Sequence, residues 1–132
     1  MKMLQDRWGG FQKIRVDFTK EGPSIISDME EAGIKNAEGV HFTVARKSEM
    51  ATLLRQRMMS QKLYYPLLTW EKPYRGDICN ELNIERFELR KDGAINFSHP
   101  GGTHDDVFWS LALGVYGTVD MVALDLESLR FG

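Results

Sequence analysis

A chain of 132 residues, 42% hydrophobic and 27% charged, has the composition of an ordinary globular domain and is long enough for one sizeable core. Its net charge of −2 excludes a globally basic nucleic-acid binder, though not a local basic patch. The lone Cys79 excludes a disulfide framework and a thiolate metal site, and fits a reducing compartment. No apolar run approaches membrane-spanning length, and Lys2, Asp6 and Arg7 interrupt the N-terminus too early for a secretory signal. The expectation is a single domain over 1–132 with no membrane partner and a cytoplasmic setting.

Residues 2–8 read as a short helix with Met3, Leu4 and Trp8 on its apolar side, stopped by Gly9 and Gly10. From 11 to 18 the chain alternates: Ile14, Val16 and Phe18 on one face, Lys13, Arg15 and Asp17 on the other. That is a strand signature. After a turn, Pro23 or Ser24 opens a helix to Gly33, with Ile25, Ile26, Met29 and Ala32 inward. Residues 39–44 alternate as a second strand. Ser48 is the expected cap of a longer helix to about Lys62, with Met50, Leu53, Leu54 and Met58 at helical spacing. Arg46, Lys47, Arg55, Arg57 and Lys62 make this the most basic segment, expected to be a solvated helix face rather than a phosphate track.

Leu63 to Pro66 reads as a short extended piece, and 67–76 as irregular. A helix over about 74–83 turns Ile78, Cys79 and Leu82 inward. Asp92-Gly93, between Phe87/Leu89 and Ile95/Phe97, predicts a hairpin. Gly101 and Gly102 then break the chain, and Thr103 is the expected N-cap of a helix that is apolar on most sides and therefore buried. The tail from Val119 to Leu129 is apolar without a clear period. Strands alternating with helices predict an α/β layered domain with parallel neighbours at its centre, whose site lies beyond the carboxyl ends of the strands.

Asp105 and Asp106 stand at the mouth of that buried helix, where acids are favoured by the helix dipole but costly to bury without a cation. Asp17 closes the first strand. If the last helix packs its N-terminus against that strand end, Asp17, Asp105 and Asp106 form a carboxylate cluster suited to Mg2+ or Mn2+. Ions held in that way stabilise the attacking and leaving oxygens of phosphodiester cleavage. His41, His99 and His104 show no zinc-like spacing, and His104 is expected to cap or to face solvent. No glycine-rich phosphate loop with an adjacent lysine is present, which excludes that type of ATPase site.

His104-Asp105-Asp106 followed by Ser110-Leu111-Ala112-Leu113-Gly114-Val115-Tyr116 resembles the closing motif of the nuclease domain of phage terminase large subunits. Lys13 to Asp17 and then Gly22 resemble that family's strand with a metal-binding acid before a glycine turn. Gly39 to Thr43 with Lys47, Tyr65-Pro66 and Glu81-Leu82 resemble its later segments, so the likeness runs over about 3–117. The resemblance implies an RNase H-like fold, a central mixed sheet flanked by helices. It also implies divalent metals held between acids, and endonucleolytic cutting of viral DNA during packaging. Asp17 matches the family's middle acid, and Asp105 or Asp106 its last. The strand-rich segment that supplies the family's first acid has no match here, nor does the packaging ATPase. The expectation is thus an N-terminally truncated domain of a viral or prophage protein in its host cell, whose metal site is incomplete until a partner or the missing segment completes it. Its implied partners are DNA, a terminase ATPase or the missing nuclease segment, and a second copy through an exposed sheet edge. The alternative is a non-catalytic terminase-derived module for assembly or DNA docking.

Overall fold

Helix α1 (Lys2–Trp8) ends where Gly9 enters the left-handed region at φ 76°, as the glycine pair predicts. None of its residues is buried, and Met3 and Trp8 are exposed, so its apolar side does not join the core. Gln5 ties it down instead. Its Nε2 donates to the Gly33 carbonyl at 3.0 Å, and its Oε1 accepts from the Lys35 N–H at 3.3 Å. The computed structural model describes residues 1–65, 78–93 and 95–119. The expectations for Pro66, for 67–76, for the start of the helix near 74 and for the tail beyond 119 lie outside the described residues.

Strand β1 (Ile14–Asp17), helix α2 (Gly22–Glu31) and strand β2 (Ala37–Val40) form a βαβ unit. The strands run parallel, with Ile14 opposite Ala37 and Asp17 opposite Val40. Two glycines make the unit possible. A Cβ on Gly22 would stand 2.5 Å from the Asp17 carbonyl, and one on Gly39 2.3 Å from the Phe18 ring. Helix α2 therefore starts directly beneath the end of β1, and Phe18 packs closely over Gly39 of β2. Ile26 and Met29 are half-buried as expected, but Ile25 is exposed.

The second strand ends sooner than its alternation suggests. His41 to Thr43 leave the sheet, and Thr43, not Ser48, caps helix α3 (Val44–Met59) by accepting the Arg46 N–H at 3.2 Å. Thr43 is the first hydroxyl residue available once the chain is extended, and it satisfies an orphan donor there. Ser48 falls inside the helix. Helix α4 (Ile78–Ile84) leads into β3 (Arg86–Leu89) and β4 (Ile95–Ser98), an antiparallel hairpin with Leu89 opposite Ile95. Gly93 turns it at φ 81°, and its N–H bonds to the Arg90 carbonyl at 2.9 Å. Phe87 and Leu89 nevertheless face solvent.

Helix α5 (Asp106–Tyr116) is buried as its composition requires: Phe108, Trp109, Ala112, Leu113 and Val115 join Met50 and Leu54 of α3 and Val40 of β2 in one core. Burying each of the larger side chains contributes about 1.5–3 kcal/mol. Helix α5 packs on β1, α3 and α4, while α3 packs on β4, so the α3–α5 pair joins the two halves. The protein is α/β. Its described strands form two separate two-stranded sheets, one parallel and one antiparallel, rather than a single central mixed sheet. Among the described residues, no helix is long and apolar enough to cross a membrane.

Candidate metal centre

Between β4 and α5 the chain runs through His99, Pro100, Gly101 and Gly102, the last at φ 78°. Thr103 does not cap the helix as expected. Its hydroxyl and its N–H both donate to the Pro100 carbonyl, which closes the turn. The N-cap position belongs to Asp105, whose carbonyl accepts the Trp109 N–H at 3.0 Å. Asp105 makes no side-chain cap bond. Its Oδ2 accepts from the Trp109 indole Nε1 at 2.8 Å instead.

The donor that Asp105 leaves unmet is taken from another element. Glu81 of α4, 2% exposed, accepts the Phe108 N–H through Oε2 at 2.8 Å. One turn further on, directly after α4, stands Glu85. Its side chain is only 4% exposed, and neither carboxylate oxygen has a hydrogen-bond partner among the described residues. His99 Nδ1, also buried and without a hydrogen bond among the described residues, lies 3.7 Å from Glu85 Oε2 and 3.5 Å from Asp105 Oδ2. One ligand atom from each of Glu85, His99 and Asp105 falls within 4.8 Å of the others. Burial pushes the Glu85 carboxyl above the usual range. Repulsion from Asp105 and, less strongly, Glu81 adds to this, while His99 and Lys47 oppose it.

Lys47 connects this group to the end of β1. Its ammonium lies 4.6 Å from the centroid of the Trp109 ring. It also lines an open cavity of about 570 Å3 together with Asp17, Thr19, Lys20 and Phe42. Asp17 is exposed there, and its Oδ1 accepts from both the N–H (2.9 Å) and the hydroxyl of Thr19. Trp109 itself is held by the rings of Phe42, Phe97 and Phe108, with centroids 5.0–5.7 Å away. The basic segment is only partly a solvated face. Arg55 and Lys62 are exposed, but Arg46 bonds to the Tyr116 hydroxyl and, with Arg15, sits over that ring.

Of the three acids that the sequence singles out, Asp105 stands in the Glu85–His99 group. Asp17 lies in the neighbouring cavity, outside it. Asp106 is 89% exposed in its side chain, with His104 Nδ1 4.0 Å away. Sequence reasoning does not single out Glu85; Glu81 enters it only within the resemblance, and His99 only as a histidine without zinc-like spacing. A signal for the glutamates exists: positions 78, 81, 82 and 85 share one helical face, so both acids fall on the stripe of Ile78 and Leu82. For His99, six residues before Asp105 in an irregular loop, no periodicity points to it. No protein-family model matches the chain, and neither the curated proteins nor the solved structures contain a match.

Proposed function

We propose that this chain is a terminase-like nuclease module, which hydrolyses DNA phosphodiesters with divalent metal at the end of the molecule that carries Asp17 and Asp105. The observation that supports this most directly is the link through Lys47. This one side chain lines the Asp17 cavity and covers the Trp109 ring, and that ring's Nε1 bonds to Asp105. Lys47 thus stands between the cavity that holds Asp17 and the ring that bonds to Asp105, and α5 packs against β1.

The donors fit a divalent ion. Asp105 offers a hard oxygen beside the buried Glu85 oxygens, which lack any hydrogen-bond partner among the described residues, and Asp17 offers another in the neighbouring cavity. Bound Mg2+ or Mn2+ supplies charge neutralisation at the phosphoryl oxygens. The chain's own residues do the positioning. Asp105 and, from the neighbouring cavity, Asp17 would hold the metal, with Asp106 exposed next to Asp105. The ammonium groups of Lys47 and Lys20, in the same cavity as Asp17, attract and orient the phosphate backbone. DNA is then the substrate. A packaging ATPase, a further nuclease segment and a second copy of the chain are the partners that the resemblance adds, in a virus-infected or lysogenic host cell.

One observation favours the non-catalytic alternative of assembly or DNA docking. The Asp17 carboxylate is already engaged by Thr19, as in a plain turn. A plasmid-nicking assay with Mg2+ or Mn2+ separates the two readings. The nuclease reading expects Asp17→Asn to cut at least about tenfold more slowly than wild type. Equal cutting by both proteins rejects it, and none by either rejects cutting by this chain alone.

A further inference from the structure

We propose that Glu85, His99 and Asp105 form a binding site for one first-row transition divalent cation of the Mn2+ or Zn2+ class. The site does not rest on the nuclease reading, with which it shares Asp105 and the Glu85 oxygens.

The spacing comes first. His99 Nδ1 is 3.5 Å from Asp105 Oδ2 and 3.7 Å from Glu85 Oε2. These distances are too long for hydrogen bonds, which run from 2.7 to 3.2 Å for nitrogen donors. They suit ligands of a common ion: two atoms each about 2.1 Å from a tetrahedral centre stand about 3.4 Å apart. The unmet valence comes second. Glu85 Oε1 and Oε2 and His99 Nδ1 are all buried without a hydrogen bond among the described residues. The Glu85 side chain is 4% exposed, and buried carboxylates are otherwise paired or bound to metal. The Lys47 ammonium lies over the Trp109 ring, 4.6 Å from its centroid.

The support and the access are also in place. Trp109 Nε1 donates to Asp105 Oδ2 at 2.8 Å, an outer contact that orients a ligating carboxylate. His99 and Asp105 are 30% and 28% exposed in their side chains, so an ion can enter from solvent past them to the buried Glu85. The donor set decides the class of ion. An imidazole beside two carboxylates suits Mn2+ or Zn2+, whereas Mg2+ favours oxygen ligands and keeps its waters.

The test is titration of the purified full chain with MnCl2, ZnCl2 and MgCl2, followed by calorimetry and, for Mn2+, by electron paramagnetic resonance. The expected result is a saturable Mn2+ site whose spectrum carries nitrogen coupling from imidazole, with Mg2+ at least tenfold weaker. Glu85→Gln and His99→Ala each weaken Mn2+ binding tenfold or more, and His99→Ala removes the nitrogen coupling. His104→Ala, at an exposed histidine one residue from Asp105, leaves both unchanged. Circular dichroism establishes that each variant is folded. The wild-type spectrum decides by itself if one is not. No saturable Mn2+ or Zn2+ binding, or bound Mn2+ without nitrogen coupling, overturns the site. So does equal affinity in wild type and both variants. Nicking measured on the same samples separates the two proposals. Binding without nicking defeats cutting by this chain alone and leaves the site. Nicking without binding here defeats the site and leaves the nuclease.

Discussion

Replacing Glu81 tests whether α4 holds the start of α5. Its Oε2 accepts the Phe108 N–H at 2.8 Å in a pocket where the residue is 2% exposed. A hydrogen bond to a charged group contributes about 1.5–3 kcal/mol, and Glu81→Ala leaves a buried N–H with no acceptor. The helix also loses an anion at its positive end, worth about 0.3–1 kcal/mol. Two effects offset this. Oε1 of Glu81 has no hydrogen-bond partner among the described residues, and Glu81 is one of the charges that disfavour the Glu85 carboxylate. The net expectation for Glu81→Ala is a loss of about 2–3 kcal/mol. Glu81→Gln keeps an acceptor oxygen and loses only the charge-assisted part, about 1 kcal/mol. For a chain of this length, 1 kcal/mol moves the melting midpoint by about 3–5 °C. Urea unfolding should show a lower midpoint with an unchanged slope in both variants, in the order wild type, Gln, Ala. An Ala variant within about 0.5 kcal/mol of wild type refutes the idea that this bond organises the helix start.

Two further outcomes follow from the same site. Trp109→Phe keeps a ring against Phe42, Phe97 and Phe108 but removes the donor to Asp105. It should cost about 1–3 kcal/mol in urea unfolding and weaken Mn2+ binding, and unchanged affinity would show that Asp105 needs no such support. Glu85 carries the pH dependence of the metal-free protein. Its carboxyl is raised in the fold, so the stability it contributes is fully present below the usual carboxylate range and is lost as pH rises through the raised value. Glu85→Gln should therefore melt higher than wild type at neutral pH in the presence of a chelator and converge with it in acid. A variant that melts lower at neutral pH contradicts an uncompensated carboxylate at this position.

Local features were legible where one periodicity or one turn dominates. Gly9 as a helix stop, Asp92-Gly93 as a hairpin turn and α5 as a buried helix all follow from short-range chemistry. Cap residues were less so, because several hydroxyl residues compete. Thr43 wins over Ser48 because the chain is still extended there, while Thr103 spends its hydroxyl on Pro100. Asp105 could be singled out as an acid at a helix mouth, but its partners could not. Glu85 arrives from the end of another helix and His99 from a loop, and only tertiary packing brings them together. Glu81 and Glu85 on an apolar stripe were the one available clue, since an acid in that position must either be exposed by fraying or find a partner.

The start of α5 shows how one substitution of roles creates the site. An aspartate at an N-cap ordinarily spends its carboxylate on the N–H groups of the first turn. Here Glu81 reaches across from α4 and takes the Phe108 N–H, so Asp105 is released from that duty. Its carboxylate turns to the indole of Trp109, a residue fixed by three aromatic neighbours, and so presents Oδ2 toward His99. The cap from α4 also sets the position of Glu85, one helical turn beyond Glu81, against the same helix end. Two acids on one stripe, Glu81 in α4 and Glu85 directly after it, thereby divide the work: the first satisfies the backbone, and the second is left buried with oxygens that a proton or a cation can satisfy. That division depends on α4 meeting α5 at its N-terminus, which is why Glu81, rather than either acid of the His104-Asp105-Asp106 triplet, is the residue on which the geometry of the group turns.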